Sequence, residues 1–263
     1  MPRGRRRVDP AAARARPPPS VLRSMPIANS APTSAPIPAP PTLRTLLHQA
    51  PWFDGLDAAQ QARVEVDMFE RAVGGGAFVG RRGDPPDYWM GIIDGLVNVS
   101  NVSSDGKLAT LTGMSNGSWF GEGTLLKKEC RKFDVVALRD TRLAMMPMAT
   151  FDWLLAHSLR FNRFLLDHVN ERLGQFIATV EHDRMLDPDA RVARCLGSMV
   201  HPLLYPANGH SLRIAQEEIG QLAGVSRQRV NQALQRLEAE RLVAIEYGGV
   251  RIVDLEGLRR FGS

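Results

Sequence analysis

Arg227, Gln228, Arg229, Asn231 and Gln232 fall within six consecutive residues. Arginine, asparagine and glutamine are the side chains whose paired donors and acceptors match guanine and adenine edges in the major groove of DNA. Reading bases with them requires a rigid rod that turns them all outward, and the flanking sequence supplies one. Val230, Leu234 and Leu237 recur at steps of four and three, so they face inward together on a helix. Ser226 is placed to cap that helix through its hydroxyl. Before it, Ile219 and Leu222 give a first helix an apolar face, and Gly224 stands where the chain must bend sharply. Behind it, Val243–Glu246 and Val250–Val253 alternate as two strands, with Gly248-Gly249 expected at the turn. From Ser226 to Arg236 there are three arginines and no acid. The reading is a winged helix-turn-helix holding double-stranded DNA. Arg227, Gln228, Arg229 and Gln232 are expected to make base or near-base contacts, with Ser226, Asn231 and the wing residue Arg251 against phosphates.

Charge elsewhere does not carry this conclusion. The net charge is +5. Residues 1–42 hold seven arginines against one acid, Asp9, so the remainder is close to neutral. From Asp187 onward ten arginines face nine acids, so a DNA contact must come from a local patch. Cys130 and Cys195 give neither metal-ligand spacing nor a disulfide framework, which fits a reducing cytoplasm. No apolar run reaches the roughly 18 residues of a membrane span, and no secretory leader is visible. The expectation is a cytoplasmic protein with no membrane partner.

The chain divides into four parts. Residues 1–42 contain eleven of the eighteen prolines and read as an unfolded Pro/Ala/Arg-rich tail. Residues 43–150 begin with a short helix at Leu43, Leu46 and Leu47, anchored by Trp52, Phe53 and Leu56. Short candidate strands follow: Ala77–Val79, Tyr88–Ile93, Gly95–Ser100, Leu108–Thr112, Phe133–Leu138 and Thr141–Met146. Close-set turns such as Asp94-Gly95, Ser104-Asp105-Gly106 and Arg139-Asp140 argue for an antiparallel barrel or jelly roll. Residues 151–186 carry one long helix from about Ser158 to Asp183. Phe161, Leu165, Val169, Leu173, Phe176 and Val180 are expected to form its apolar seam, covered by a second copy of the chain in a parallel coiled coil. Asp187-Pro188 then stops that helix and caps the next, a hinge into the DNA-binding part, 187–263.

IAQEEIGQLAGVSRQRVNQALQRLEAERLV resembles the DNA-binding domain of the Crp/Fnr superfamily of bacterial transcription regulators. GDPPDYWMGIIDGLVNV is similar to the strand-turn-strand signature of the cyclic-nucleotide-binding fold, through Gly83, Asp84, Tyr88, Ile92 and Gly95. WFGEGTLLKKECRKF is similar to its phosphate-binding cassette. The resemblance implies an effector pocket at Gly121, Glu122, Arg131 and Lys132, with Glu122 accepting from a ribose hydroxyl and Arg131 pairing with a cyclic phosphate. Two positions depart from the family pattern. Lys132, followed by Phe133 and Asp134, stands where cyclic-AMP binders place Ser or Thr. Phe176-Ile177 replaces the Thr-Ser pair that reads adenine. The effector therefore stays open between a cyclic nucleotide, another small ligand, and none.

Other chemistries fit poorly. Two cysteines cannot hold an iron–sulfur cluster in one chain, and no metal site is expected. His48, His157 and His168 read as surface or partly packed residues. Cys130 beside Lys127, Lys128 and Arg131 is a weaker redox candidate. No catalytic ordering of Ser, His and Asp is visible, so the chain does not read as an enzyme. The fold class is α+β: a barrel or jelly roll of cyclic-nucleotide-binding type, a long dimerisation helix and a C-terminal winged helix-turn-helix. The function implied is a homodimeric transcription regulator reading a near-palindromic operator, with a small-molecule effector and RNA polymerase as further candidate partners. The alternative is a cyclic-nucleotide or metabolite-binding module whose output is not DNA binding.

Overall fold

In the computed structural model, residues 41–102, 108–183 and 187–262 are described. The expected unfolded tail, except its last two residues, and the turn Ser104-Asp105-Gly106 lie outside them. The elements run α1 (Leu43–Gln49), α2 (Pro51–Asp54), α3 (Ala58–Asp67), β1 (Phe69–Val73), β2 (Phe78–Gly80), β3 (Tyr88–Asp94), β4 (Leu96–Val102) and β5 (Leu108–Ser115). Next come β6 (Trp119–Phe120), α4 (Glu122–Lys127), β7 (Asp134–Ala137), β8 (Thr141–Pro147), α5 (Met148–His157), α6 (Leu159–Asp183) and α7 (Pro188–Ser198). The chain ends with β9 (Ser211–Leu212), α8 (Gln216–Ala223), α9 (Arg227–Ala239), β10 (Val243–Glu246), β11 (Gly249–Ile252) and α10 (Leu255–Arg260).

Eight strands form two antiparallel four-stranded sheets, ordered β1-β8-β3-β6 and β2-β7-β4-β5, an open jelly roll rather than a closed barrel. All six expected strands are present. The sequence reading missed β1 and β6, each of which pairs with a single strand among the described residues. Trp52 and Trp89 pack around Trp119 with ring centroids 5.0 and 4.5 Å away, and Phe151 and Phe161 close the cluster. This aromatic core joins the N-terminal helices, the sheet and the start of α6.

The long helix follows its expected course, with Ser158 accepting from the Phe161 N–H just before it. Its seam does not. Phe161 and Leu165 are buried in their own domain, whereas Val169 and Leu173 are exposed, Leu173 at 57%. Phe176 turns toward a cavity, and the Val180 side chain is outside the described residues. The reason is angular. A step of four on an α-helix overshoots a full turn by about 40°, so three such steps from Phe161 reach Leu173 about 120° away. One face instead carries Phe161, Leu165, His168 and Arg172 against the sheets, while Leu159, Leu166, Val169, Leu173 and Ile177 lie exposed.

Asp187 caps α7 with Pro188 at its first position, as expected; its carboxylate accepts from the Ala190 N–H at 2.8 Å. The C-terminal core gathers Val192, Leu196, Ile219, Val230, Leu234 and Leu237, together with Leu96 of β4. The loop between α7 and β9 sends Leu204 and Tyr205 the other way, into the interior of the jelly roll.

Candidate DNA-reading surface and effector cavity

Gly224 ends α8 at φ 63°, ψ 40°, a left-handed bend that side chains resist. A Cβ on Gly220 would lie 2.8 Å from the Val225 carbonyl, so this glycine lets the turn fold back against its own helix. Nothing in the apolar periodicity signalled that second requirement. Ser226 caps α9, accepting from the Arg229 N–H at 3.3 Å. Val230, Ala233, Leu234 and Leu237 are buried, which leaves Arg227, Gln228, Asn231 and Gln232 exposed on the opposite face. Asn231 also accepts from Gln216 at 3.4 Å.

Arg229 is held differently from its neighbours. Its Nη2 is 3.0 Å from Asp189 Oδ1, and its Nη1 donates to Gln232 Oε1 at 3.3 Å. Arg251 donates to Glu246 at 2.6 Å across the wing. The wing turn is Tyr247-Gly248, one residue earlier than expected, because Glu246 pairs with Gly249. Gly248, at φ 74°, takes the left-handed position, and Tyr247 stands fully exposed at the tip. A third strand, β9, pairs with β11 and stiffens the wing; its two residues were too short to read from sequence.

The second candidate centre is a cavity of about 240 Å³ behind α4, below the roughly 300–1,000 Å³ of most small-molecule pockets. Gly121, Glu122, Lys132 and Phe133 line it from the cassette, and Arg172 and Phe176 line it from α6. Gly121 precedes α4 at φ 100°. Lys132 lies 2.6 Å from Glu129. Arg131 is not among the lining residues. It follows Cys130 and precedes Lys132, both of which line the cavity, and its own side chain packs against Gly80, where a Cβ would meet its Nε at 2.8 Å. There it is buried, with Nε and Nη1 lacking partners, and burial pulls its pKa down against the opposing charge of Asp84. Ile177, expected beside Phe176 at a base, is exposed instead.

Sequence reasoning passed over two buried polar groups of α6, Arg172 on the cavity wall and His168 near Glu122. Arg172 is buried and donates to the Trp119 carbonyl at 3.1 Å. His168, expected at the surface or partly packed, is 1% exposed. It stacks on Phe164, and its Nε2 is 3.9 Å from Glu122 Oε1, too long for a hydrogen bond. Burial lowers its pKa, with Glu122 opposing and Arg172 assisting. Their spacing, 168 to 172, would have placed both on the face of Phe161 and Leu165 had the seam been phased by 3.6 residues. His48 and His157 are exposed as expected. Burial pushes the Cys195 thiol up to about 12, which makes it a poor nucleophile, while Cys130 is exposed.

A jelly roll with a cassette cavity, joined through a long helix to a winged helix-turn-helix, defines a DNA-binding protein with an added N-terminal domain of cyclic-nucleotide-binding fold. The family described as "Cyclic nucleotide-binding domain" matches residues 70–158, and the "Crp-like helix-turn-helix domain" matches residues 190–261. The chain belongs to the Crp/Fnr superfamily, and the curated relatives it resembles are named as transcriptional regulators. It is similar to the CRP-like cAMP-activated global transcriptional regulator of Mycobacterium tuberculosis, 26% identical over 219 residues that span 82% of this chain and 97% of that one. It is also similar to the cAMP-activated global transcriptional regulator CRP of Haemophilus influenzae, 28% identical over 160 residues, covering 58% and 69%. Among solved structures, FixK2 from Bradyrhizobium japonicum shares the fold at a TM-score of 0.59 and 17% identity, covering 74% of this chain and 98% of that one. No helix among the described residues is long and apolar enough to cross a membrane.

Proposed function

We propose that the chain acts as a homodimer whose two α9 helices enter successive major grooves of a near-palindromic operator. The observation that carries this reading is the exposed face Arg227, Gln228, Asn231 and Gln232 on a helix fixed by four buried apolar residues. Dimerisation follows from the outward stripe Leu166, Val169, Leu173 and Ile177, which a second copy of α6 would cover. Such a regulator works where the DNA is, in the cytoplasm, and RNA polymerase is its natural further partner.

The effector is an anionic small molecule in the cassette cavity, with cyclic nucleotides the first class to test. Lys132 and Arg172 supply positive charge at the wall, Glu122 an acceptor, and Phe176 a flat apolar surface. Phe176 cannot hydrogen-bond a base edge, so stacking rather than edge recognition would hold the base. Occupancy would bear directly on α6 through Arg172 and Phe176, and so on the hinge at Asp187.

Two measurements test this reading. DNA retention in a salt titration should show specific binding, and Arg227→Ala should cost about 1–3 kcal/mol of base discrimination. A melting-temperature screen against cyclic AMP, cyclic GMP and cyclic di-GMP should reveal a ligand through its preference for the folded state. No shift with any of the three removes the cyclic-nucleotide part, and unchanged discrimination in Arg227→Ala removes the base-reading role.

A further inference from the structure

Asp189 is 5% exposed, in the first turn of α7, two residues beyond the hinge cap. Its Oδ1 is 3.0 Å from Arg229 Nη2 and its Oδ2 is 3.3 Å from Arg236 Nη1. Arg229 and Arg236 are seven residues apart, two turns along one side of the recognition helix, so one carboxylate spans both. Arg191, half a turn further along α7, donates to the Ala223 and Gly224 carbonyls at 2.6 and 3.3 Å. The first turn of α7 therefore grips both helices of the helix-turn-helix.

We propose that Asp189 is a positioning and specificity-determining residue: its buried carboxylate holds Arg229 away from DNA phosphates, so that binding depends on base contacts. The inference rests on the DNA-binding reading above and deepens it. Non-specific affinity comes from cations that meet phosphates, and each such contact adds about −0.9 to the slope of log affinity against log salt. A free Arg229, 38% exposed at the edge of the reading face, would add one such contact on any sequence. An internal anion already paired with it competes with the phosphate. Base recognition by Arg227 and Gln228 is left intact, because neither bonds Asp189 or the Arg229 guanidinium in the structure, whereas Gln232 accepts from Arg229 and is freed with it. The same ion pair ties the angle of α9 to the hinge.

The test uses the full-length chain and two duplexes, a selected operator and a random sequence, each titrated with salt. Asp189→Asn should tighten random-duplex binding about three- to tenfold, steepen its salt slope by about 0.9 and lower the operator-to-random ratio. Adding Arg229→Gln should abolish that gain. Arg229→Gln alone should leave random-duplex affinity within about twofold of wild type, a result that does not depend on how well Asp189→Asn folds. The proposal is overturned if Arg229→Gln alone flattens the slope by about one unit, or if Asp189→Asn weakens both duplexes in parallel. Failure of the wild-type chain to distinguish the duplexes at all would instead overturn the underlying DNA-binding reading, and would be seen before any variant is measured.

Discussion

The Tyr205 hydroxyl donates to the Gly113 carbonyl at 3.0 Å, tying the loop after α7 to strand β5 of the jelly roll. Thr112 Oγ1 is 3.4 Å from the same hydroxyl and its residue lines the cassette cavity, so a side chain of the DNA-binding half sits one residue from the cavity wall. Tyr205 is 1% exposed. Removing its hydroxyl takes one donor from a carbonyl that Thr112 Oγ1 also reaches at 3.3 Å, so the loss is that of one ordinary hydrogen bond, about 0.5–1.5 kcal/mol. Tyr205→Phe should lower the thermal midpoint by about 1–6 °C for a unit of this size. Scanning calorimetry checks this, and an unchanged midpoint would show that the bond does not join the two halves.

The corrected phase of α6 separates two kinds of substitution. Leu173→Glu places a charge on the outward stripe and should yield a folded monomer by sedimentation velocity. Phe161→Ala, inside the aromatic core, should cost about 3–5 kcal/mol by denaturant titration while leaving the assembly dimeric. If Leu173→Glu sediments as the wild type does, the stripe is not the dimer face.

The history of that helix shows what periodicity conveys and what it does not. Its existence, ends and hinge were legible, because Ser158, Asp187 and Pro188 are local signals. Its phase was not: leucines on both faces satisfy a step of four, and only packing decides which are covered. The same limit applied to the cassette. The motif located the cavity wall, yet Arg131 and Lys132 lie on irregular chain between α4 and β7, where no fixed period tells which of the two faces inward. Around α9 the reading went further, since capping, bend and burial all agree there. The long-range partner of Arg229, forty residues earlier in the chain, escaped it.

His168 makes stability depend on pH. Its folded pKa lies below the ordinary value near 6.5 because burial disfavours the imidazolium; Glu122 opposes that shift, and Arg172 and His201 add to it. The unfolded chain therefore binds a proton that the folded chain refuses, and stability falls as pH drops from about 6.5 toward the folded pKa. Denaturant midpoints at pH 7.5 and 5.5 should differ in the wild type and differ less in His168→Gln. Equal pH dependence in the two would assign the effect elsewhere.

Selection from a pool of randomised duplexes tests the account most directly. Wild-type chain should enrich an inverted repeat with half-site centres about 10–10.5 base pairs apart, the spacing of two recognition helices on one face of DNA. Enrichment of nothing, or of a single half-site with no mirrored partner, would contradict a dimer that reads DNA through paired α9 helices.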